Sequence, residues 1–313
     1  MSELKKIATR ESYGNALKEL GETCENLVVL DADLAKATKT EIFKKAYPNR
    51  FIDCGIAECN MMGIAAGLAS TGKVVFASSF AMFAAGRAFE QVRNSICYPN
   101  LNVKIAATHG GISVGEDGAS HQCNEDFALM RSIPNMVVLS PSDDVEAKAA
   151  VKAAYDHEGP VYLRFGRLAV PVINDNANYH FELGKGITLR EGNDASIIAT
   201  GLMVSEALTA ADTLAKEGIQ VRVINIHTIK PIDEDILLKA AKETKFLLTA
   251  EEHNVLGGLG DEVSRVVCEN HPTKVVRVGV EDKFGMSGPA AELLKIYGLS
   301  AEHIIEKIKE NIG

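Results

Sequence analysis

The sequence has no tryptophan, no Cys-x-x-Cys pair and no apolar run long enough to cross a bilayer. Six cysteines lie mostly in apolar or helical stretches of a 313-residue chain, which is long enough to bury a core without disulfide staples. We therefore expect reduced thiols rather than a disulfide framework or a metal site. The opening Met-Ser-Glu-Leu-Lys-Lys also lacks the apolar core of a signal peptide, so a cytoplasmic protein is expected.

Positive charge is scarce as well. The chain carries 33 Lys and Arg against 42 Asp and Glu, a formal net charge of −9. This balance argues against a nucleic-acid ligand, since affinity for a phosphate backbone comes from clustered cations. It leaves room for a phosphorylated substrate, which needs only a few well-placed cations. A hydrophobic content of 46% is typical of a globular protein, and the length suggests two domains.

Short β-branched runs alternate with longer helical stretches. This alternation predicts an α/β fold of two domains with mainly parallel sheets covered on both faces. A polar, turn-prone stretch near 172–184 separates a predicted domain 1–175 from a second domain 185–313. Strands are predicted at 27–30, 51–53, 74–77, 103–107, 136–139, 161–165, 196–199, 220–225, 246–250 and 274–278, and helices at 11–20, 60–70, 83–96, 204–217, 233–243, 259–269 and 302–311.

Glu58 stands among apolar residues, directly before a predicted helix rich in glycine and alanine. One interpretation is a carboxylate that interacts with the positive end of the helix dipole. The other is a functional carboxyl whose pKa is raised by apolar surroundings, so that it can share a proton with a ligand. The residues of this segment alone leave both interpretations open.

A polar loop, residues 109–122, follows the predicted strand 103–107 and contains two histidines, two acids, two serines and four glycines. A mobile surface connection is one interpretation. A binding loop is favoured, because its side chains suit a polyhydroxy ligand and ligands bind beyond the carboxyl ends of parallel strands. A metal site is less favoured, since the spacing of the two histidines does not correspond to a helix or a strand that would place them together.

Four segments together resemble the transketolase family. They are Gly-Ile-Ala-Glu-Cys-Asn-Met-Met at 55–62, Ser-Ser-Phe-Ala-Met-Phe at 78–83, Gly-Glu-Asp-Gly-Ala-Ser-His-Gln at 115–122, and Glu-Glu-His-Asn-Val-Leu-Gly-Gly-Leu-Gly at 251–260. The first three match the order and spacing of that family's pyrimidine-binding domain, and the fourth resembles its C-terminal domain. The resemblance covers essentially the whole chain.

The resemblance implies a role for each matched residue. Glu58 would hydrogen-bond the aminopyrimidine ring of thiamine diphosphate and so assist removal of the proton from the reactive thiazolium carbon. Phe83 and Phe80 would pack on that ring, and Asp33 would lie near the cofactor. His121 and His109 would join Glu58 as catalytic residues and line the sugar channel with Asp117, while Arg167 and Arg10 would bind the sugar phosphate.

Two departures from the family pattern matter. Ala37 stands where the family often has serine, so Lys36 or Thr38 would have to bind the substrate phosphate in its place. The sequence also has no Gly-Asp-Gly motif of the kind that holds Mg²⁺ and diphosphate in thiamine diphosphate enzymes. The resemblance therefore implies a partner, an N-terminal transketolase subunit that holds Mg²⁺ and diphosphate, in an α2β2 heterotetramer. The predicted helices 60–70 and 83–96 are the candidate interface.

The favoured function is transfer of a two-carbon ketol unit from a ketose phosphate to an aldose phosphate, by an enzyme active only with the partner. One alternative is a subunit of another thiamine diphosphate enzyme, similar to deoxyxylulose-phosphate synthase or to the beta subunit of a 2-oxo-acid dehydrogenase. The two-histidine loop favours sugars over pyruvate. A further alternative is a non-catalytic binding subunit, which predicts damage at the matched positions. All of them are intact: Glu58, His109, Asp117, His121 and Arg167.

Overall fold

A computed structural model describes residues 5–312 and contains two sheets with mainly parallel strands and one two-stranded ribbon. The strands are β1 Lys6–Ala8, β2 Leu27–Asp31, β3 Phe51–Asp53, β4 Val74–Phe80, β5 Val103–Thr108, β6 Val137–Leu139, β7 Val161–Phe165, β8 Ala169–Pro171, β9 Ile187–Arg190, β10 Ala195–Ala199, β11 Val221–Asn225, β12 Thr228–Lys230, β13 Leu247–Asn254 and β14 Val275–Val280. The α-helices are α1 Thr9–Gly21, α2 Ala35–Thr38, α3 Glu41–Ala46, α4 Glu58–Ala69, α5 Phe89–Gln91, α6 Asp126–Arg131, α7 Asp144–Asp156, α8 Met203–Lys216, α9 Glu234–Glu243, α10 Leu259–Asn270, α11 Ala290–Ile296 and α12 Ala301–Ile312.

The first sheet has seven strands in the order β12-β6-β7-β5-β4-β2-β3. All neighbours are parallel except β12 and β6. Every residue of β2, β4, β5 and β7 is buried, because helices cover both faces and leave no side of the strand to solvent. One face packs against α1 and α7 through Tyr13, Leu17 and Val151, and the other packs against α4 and α6 through Met61 and Phe127.

The second sheet has the order β14-β13-β10-β11-β9, with only β9 antiparallel to its neighbour. Helix α8 buries one apolar stripe against it, including Val204, Ala207 and Leu214. Helix α12 joins the same cluster through Ile304 and Ile308, whose spacing of four residues places them on one helix face. The second half of the chain is therefore a smaller α/β unit with its own core.

The two halves share structure where they meet. Strand β12 from the second half pairs with β6 at the edge of the first sheet. A single apolar cluster also runs from Met61 and Phe127 of the first half to Ile226, Leu237 and Val263 of the second. The junction consequently belongs to the folded core rather than to a solvated linker.

One predicted helix differs in detail. The stretch 83–96 is not a continuous α-helix, but two π-helical segments, Met82–Arg87 and Val92–Cys97, flank the short helix α5. Wider π-helical turns re-aim side chains relative to an α-helix, and they occur often at functional sites. Between residues 5 and 312, no helix is both long and apolar enough to cross a membrane.

Candidate active site

The candidate site lies along one edge of the first sheet, where four parallel strands end. Asp33 follows the last residue of β2, Glu58 follows β3, Phe80 ends β4 and His109 directly follows β5. Because parallel strands present their carboxyl ends on the same edge, residues far apart in sequence meet there. Arg167 follows β7 and joins the same edge, while Arg10 enters from the first turn of α1.

Four aromatic rings form the centre of the site. The Phe80 ring stacks on His109 with 3.9 Å between ring centroids, and it lies 6.1 Å from the Phe83 ring. The edge of His121 meets Phe83 at 5.3 Å. Phe80 is buried, whereas Phe83 and His121 remain partly exposed. The π-helical segment that begins at Met82 carries Phe83, so its geometry sets how this ring faces the histidines.

His109 is held in one orientation by its neighbours. Its backbone has a positive φ of 60°, and its side chain is buried. Its Nδ1 is 2.8 Å from the Thr108 hydroxyl and its Nε2 is 3.2 Å from Arg10. Burial, followed by the positive charges of Arg10 and Arg167, lowers the pKa of His109 to about 3. The ring is therefore neutral at physiological pH, with Nε2 as the acceptor toward Arg10.

The two arginines lie close together beside this ring. Burial and then the charge of Arg167 lower the pKa of Arg10, which also donates to the Ala37 carbonyl at 2.8 Å. Arg167 lies 3.2 Å from a Glu116 carboxylate oxygen and 3.7 Å from one of Asp117. Both acids are exposed, so these ion pairs are weak and can give way to a better anion.

Glu58 begins helix α4 and is only 4% exposed. Its Oε2 lies 3.4 Å from Nε of Arg87, whose own side chain is 66% exposed. Arg87 ends the π-helical segment that carries Phe83, so the pair connects the glutamate to the aromatic cluster. The sequence reasoning missed Arg87. Its position four residues after Phe83 could have indicated it, because residues four apart lie on one face of an α-helix. The wider π-helical turn makes this spacing rule less reliable here.

The residues around Asp33 lie apart from the aromatic cluster. Asp33 is exposed with a positive φ of 61°, and within residues 5–312 no hydrogen bond or ion pair joins it to the aromatic cluster. Lys36 is exposed on the same side. Thr38 is buried and donates to Asp31 Oδ2 at 2.7 Å, so its hydroxyl is already committed. The suggestion that Lys36 or Thr38 replaces the missing serine stays a prediction.

Asp31 is a second residue that sequence reasoning missed. It is fully buried at the end of β2 and accepts hydrogen bonds from the Leu34 amide and from the hydroxyls of Thr38 and Thr40. Burial raises the pKa of Asp31 to about 6, although the three donors oppose that shift. Its role is to fix the turn that carries Asp33 and Ala37. The sequence could have indicated Asp31 through an acid at the end of a predicted strand that is followed by two threonines.

Comparisons with known proteins now decide the family. The family profile "Transketolase, pyrimidine binding domain" matches residues 5–172, and "Transketolase, C-terminal domain" matches residues 184–304. The chain belongs to the transketolase family. The predicted fold class, two α/β domains with mainly parallel sheets, is thereby confirmed.

Several relatives match along nearly their whole length. A protein of Methanocaldococcus jannaschii with the provisional name "transketolase C-terminal section" is 52% identical, covering 97% of this chain and 96% of the relative. A 6-deoxy-6-sulfo-D-fructose transketolase subunit of a Clostridium species is 43% identical, covering 96% and 93%. A solved split gene transketolase, described as an inactive beta4 tetramer, is 51% identical with a TM-score of 0.90, covering 98% and 99%.

Other transketolases are about twice as long. The human enzyme is 39% identical over 97% of this chain, which spans 49% of that enzyme's length. The transketolase family depends on thiamine diphosphate, and the site residues fit its pyrimidine end: a buried carboxyl in Glu58 and two aromatic rings in Phe80 and Phe83. Within residues 5–312, no three His, Cys, Asp or Glu side chains are arranged to bind a metal ion.

Proposed function

We propose that the chain is the C-terminal subunit of a two-chain transketolase. It transfers a two-carbon ketol unit reversibly from a ketose phosphate to an aldose phosphate, and it acts only with an N-terminal subunit. The observation that carries this proposal is the meeting of Glu58, the Phe80–Phe83 pair and the His109–Arg10–Arg167 cluster at one sheet edge. This one edge supplies a pyrimidine site and a polar channel suited to a sugar phosphate.

In this proposal thiamine diphosphate, when bound, would supply a nucleophilic carbon for chemistry at the ketose carbonyl. Glu58, whose side chain is almost fully buried, would hold a proton at the pyrimidine nitrogen. Phe80 and Phe83 hold the plane of the ring. Asp33 stays a prediction as a cofactor residue; its exposure fits contact with a group held largely by another chain.

The polar loop and the arginines would bind the sugar. His109 is neutral, so it orients a substrate hydroxyl as a hydrogen-bond partner rather than supplying a proton as imidazolium. His121 lies nearer the partly exposed Phe83, which suits a position beside the reacting carbonyl. Arg167 exchanges its weak pairs with Glu116 and Asp117 for the substrate phosphate, which leaves Asp117 free to accept from a sugar hydroxyl.

The anionic end of the substrate is the least determined part of the proposal. Ala37 presents its backbone carbonyl to Arg10, where the family often has a serine hydroxyl. Relatives are named for two different substrates, a 6-deoxy-6-sulfo-D-fructose and an apulose-4-phosphate. We therefore include both phosphorylated and sulfonated ketoses among the donors to be tested, with the phosphates as the favoured class.

The partner would hold Mg²⁺ and the diphosphate, and two copies of each chain would form the α2β2 heterotetramer. Helix α4 supports this arrangement, because its exposed face has no side chains at Gly63 and Gly67, so another backbone could approach closely there. A Cβ added at either position meets no atom of this chain within 4 Å. The division at 175 and 185 stays a prediction. It lies close to the boundaries of the two matched domains.

Co-purification from the source, followed by mass spectrometry, tests the partner directly. We expect a chain of similar size that carries Gly-Asp-Gly and a downstream asparagine, and the purified pair should transfer a ketol unit in the presence of thiamine diphosphate and Mg²⁺. Each subunit alone should be inactive. A pair that decarboxylates pyruvate or another 2-oxo acid instead would place the chain with the dehydrogenase or synthase branch. A chain recovered alone, with no activity under any condition, would favour a binding subunit.

A further inference from the structure

Part of the polar loop packs against the second half of the chain. Its Ile112 is fully buried and belongs to the apolar cluster of the second half, together with Ala199, Val280 and Leu293. His109, Asp117 and His121 lie on the same loop but face the first sheet edge or solvent. One loop therefore connects the sugar-binding side chains to the core of the other α/β unit.

The first stem of the loop is held by Glu252 at the end of β13. The Ser113 amide donates to Glu252 Oε1 at 2.6 Å, and both groups are buried. Gly111 has a φ of 84°, and a Cβ at this position would overlap the Glu252 carboxyl. Glycine is required here for the backbone conformation and for the close approach. Burial raises the pKa of the Glu252 carboxyl, whereas Arg164 and the Ser113 amide oppose that shift.

The second stem is held by Gln122 and Arg164. Gln122 Nε2 donates to the Met286 carbonyl of the second half at 2.9 Å and to two carbonyls of its own loop, Ile112 at 3.2 Å and Gly115 at 3.3 Å. Arg164 donates to the Glu252 carbonyl at 2.8 Å and to the Cys123 carbonyl at 3.3 Å. The second stem is thus linked to the second half through the carbonyls of Met286 and Glu252.

We propose that the second half of the chain sets the position of the polar loop, with Glu252 and Gln122 as positioning residues for the sugar-binding side chains. Neither residue need touch the substrate. They act by fixing the backbone from which His109, Asp117 and His121 project. The identity of the ligand rests on the proposed function, whereas the positioning role itself rests on the contacts described above.

The neighbouring Glu251 provides a matched control. It is equally buried and also accepts backbone hydrogen bonds, but from Leu259 at 2.7 Å and Gly260 at 2.8 Å, at the start of α10 within the second half. Loss of Glu251 should therefore destabilise the fold without moving the loop. Loss of Glu252 should release the loop.

The first measurement is hydrogen–deuterium exchange, resolved by peptide, on the full chain. Glu252→Ala should raise exchange of the amides at 110–122 by about tenfold to a hundredfold, as expected when a buried backbone donor loses its acceptor. Glu252→Gln keeps an oxygen for Ser113 and should restore most of the protection. Gln122→Glu sets a carboxylate against three carbonyls and should also release the loop. Glu251→Ala should leave exchange of the loop unchanged.

Unchanged protection in Glu252→Ala would overturn the proposal. An equal loss in Glu251→Ala, compared at the same interval below its own melting temperature, would also overturn it by assigning the effect to general destabilisation. Neither outcome depends on the enzyme being a transketolase.

The second measurement is steady-state kinetics of the co-purified complex. Glu252→Ala and Gln122→Glu should raise KM for donor and acceptor sugars about tenfold, while the thiamine diphosphate concentration for half-maximal activity stays unchanged, since no cofactor residue lies on this loop. A shift in cofactor requirement with unchanged KM would contradict the positioning role. If the wild-type complex shows no ketol transfer, the proposed function fails, and the exchange data still decide the role of Glu252.

Discussion

At the scale of single residues, Glu58 carries the clearest catalytic prediction. Glu58→Gln keeps the shape of a buried side chain but loses the ionisable proton site. We expect ketol transfer by the assembled enzyme to fall by about a hundredfold or more, a range typical for loss of an acid–base group. Melting temperature and assembly with the partner should stay close to wild type.

Glu19→Gln is the matched control for this change. Glu19 is exposed on helix α1, outside the site and outside the candidate interface, so its amide variant should keep full activity. Near-normal turnover in Glu58→Gln would remove this carboxyl from the proposed mechanism. It would also favour the non-catalytic alternative.

His109 gives a prediction in pH. Its folded-state pKa is about 3, whereas an unfolded histidine titrates near 6.5. Between these values the unfolded chain binds a proton that the folded chain does not, so acidification lowers the free energy of unfolding. Relative to His109→Asn, the wild type should lose about 2 kcal/mol of stability between pH 7.5 and pH 5. Denaturant unfolding at several pH values measures this difference.

A His271→Asn variant serves as the comparison for the substitution itself, since His271 is exposed. If His109→Asn shows the same pH dependence of stability as the wild type, then the folded state does not hold the His109 ring neutral on acidification. The proposed neutral hydrogen-bond partner would then be wrong.

At the same scale, the sequence predicted residues that lie in a recognisable motif and missed those defined by contact. Glu58, Phe80 and Phe83 stand in motifs, and the structure brings them to one edge. Arg87 and Asp31 lie outside those motifs. Their importance arises from burial and from partners at the ends of other strands, which one sequence does not display.

At the scale of elements, the alternation of strands and helices was predictable because buried parallel strands read as continuous apolar runs. Strands β1, β8, β9 and β12 were missed, since three or four residues are too few to show a period. The pairing of β12 with β6 joins residues nearly ninety positions apart, as Thr228 faces Leu139. The π-helical turns between 82 and 97 could not be predicted either, because α-helices are predicted from a period of 3.6 residues and a π-helix has a longer period.

Helix α4 provides a prediction about assembly. Gly63→Ala and Gly67→Ala each have room within the chain, and alanine favours a helix interior over glycine by about 1 kcal/mol. Each change should therefore stabilise the isolated chain. If this face packs closely against another subunit, each should also weaken assembly, since an added methyl would separate the two surfaces. Thermal unfolding and sedimentation with the partner measure the two effects.

Gly14→Ala separates this effect from a general response of helices to alanine. A Cβ at Gly14 would lie 2.5 Å from the Lys39 carbonyl oxygen, so this variant should destabilise the isolated chain. Stabilised α4 variants that assemble like the wild type would show that the face of Gly63 and Gly67 is open to solvent in the complex. The candidate interface would then have to lie elsewhere.

At the scale of the whole molecule, the two halves should unfold together. The apolar cluster that spans both sheets, and the strand β12 shared with the first sheet, join the core of each half to the other. Arg164 adds a buried ion pair at the junction, 2.8 Å from Asp126, and donates to the Glu252 carbonyl. We expect one cooperative calorimetric transition for the wild type, although chains of this size often show several.

Replacement of Arg164 tests this coupling. Arg164→Met leaves the Asp126 carboxylate buried without its cation, and loss of one partner of a buried pair costs about 3–5 kcal/mol. Adding Asp126→Asn removes the buried, unpaired carboxylate. The double variant should therefore recover part of the lost free energy of unfolding, even though the ion pair is absent. Recovery in the double variant, with a single transition throughout, would mean that apolar packing joins the halves and that the ion pair adds specificity. Two transitions in the wild type would mean that each half is stable alone. The contacts at the junction would then not couple the unfolding of the two halves.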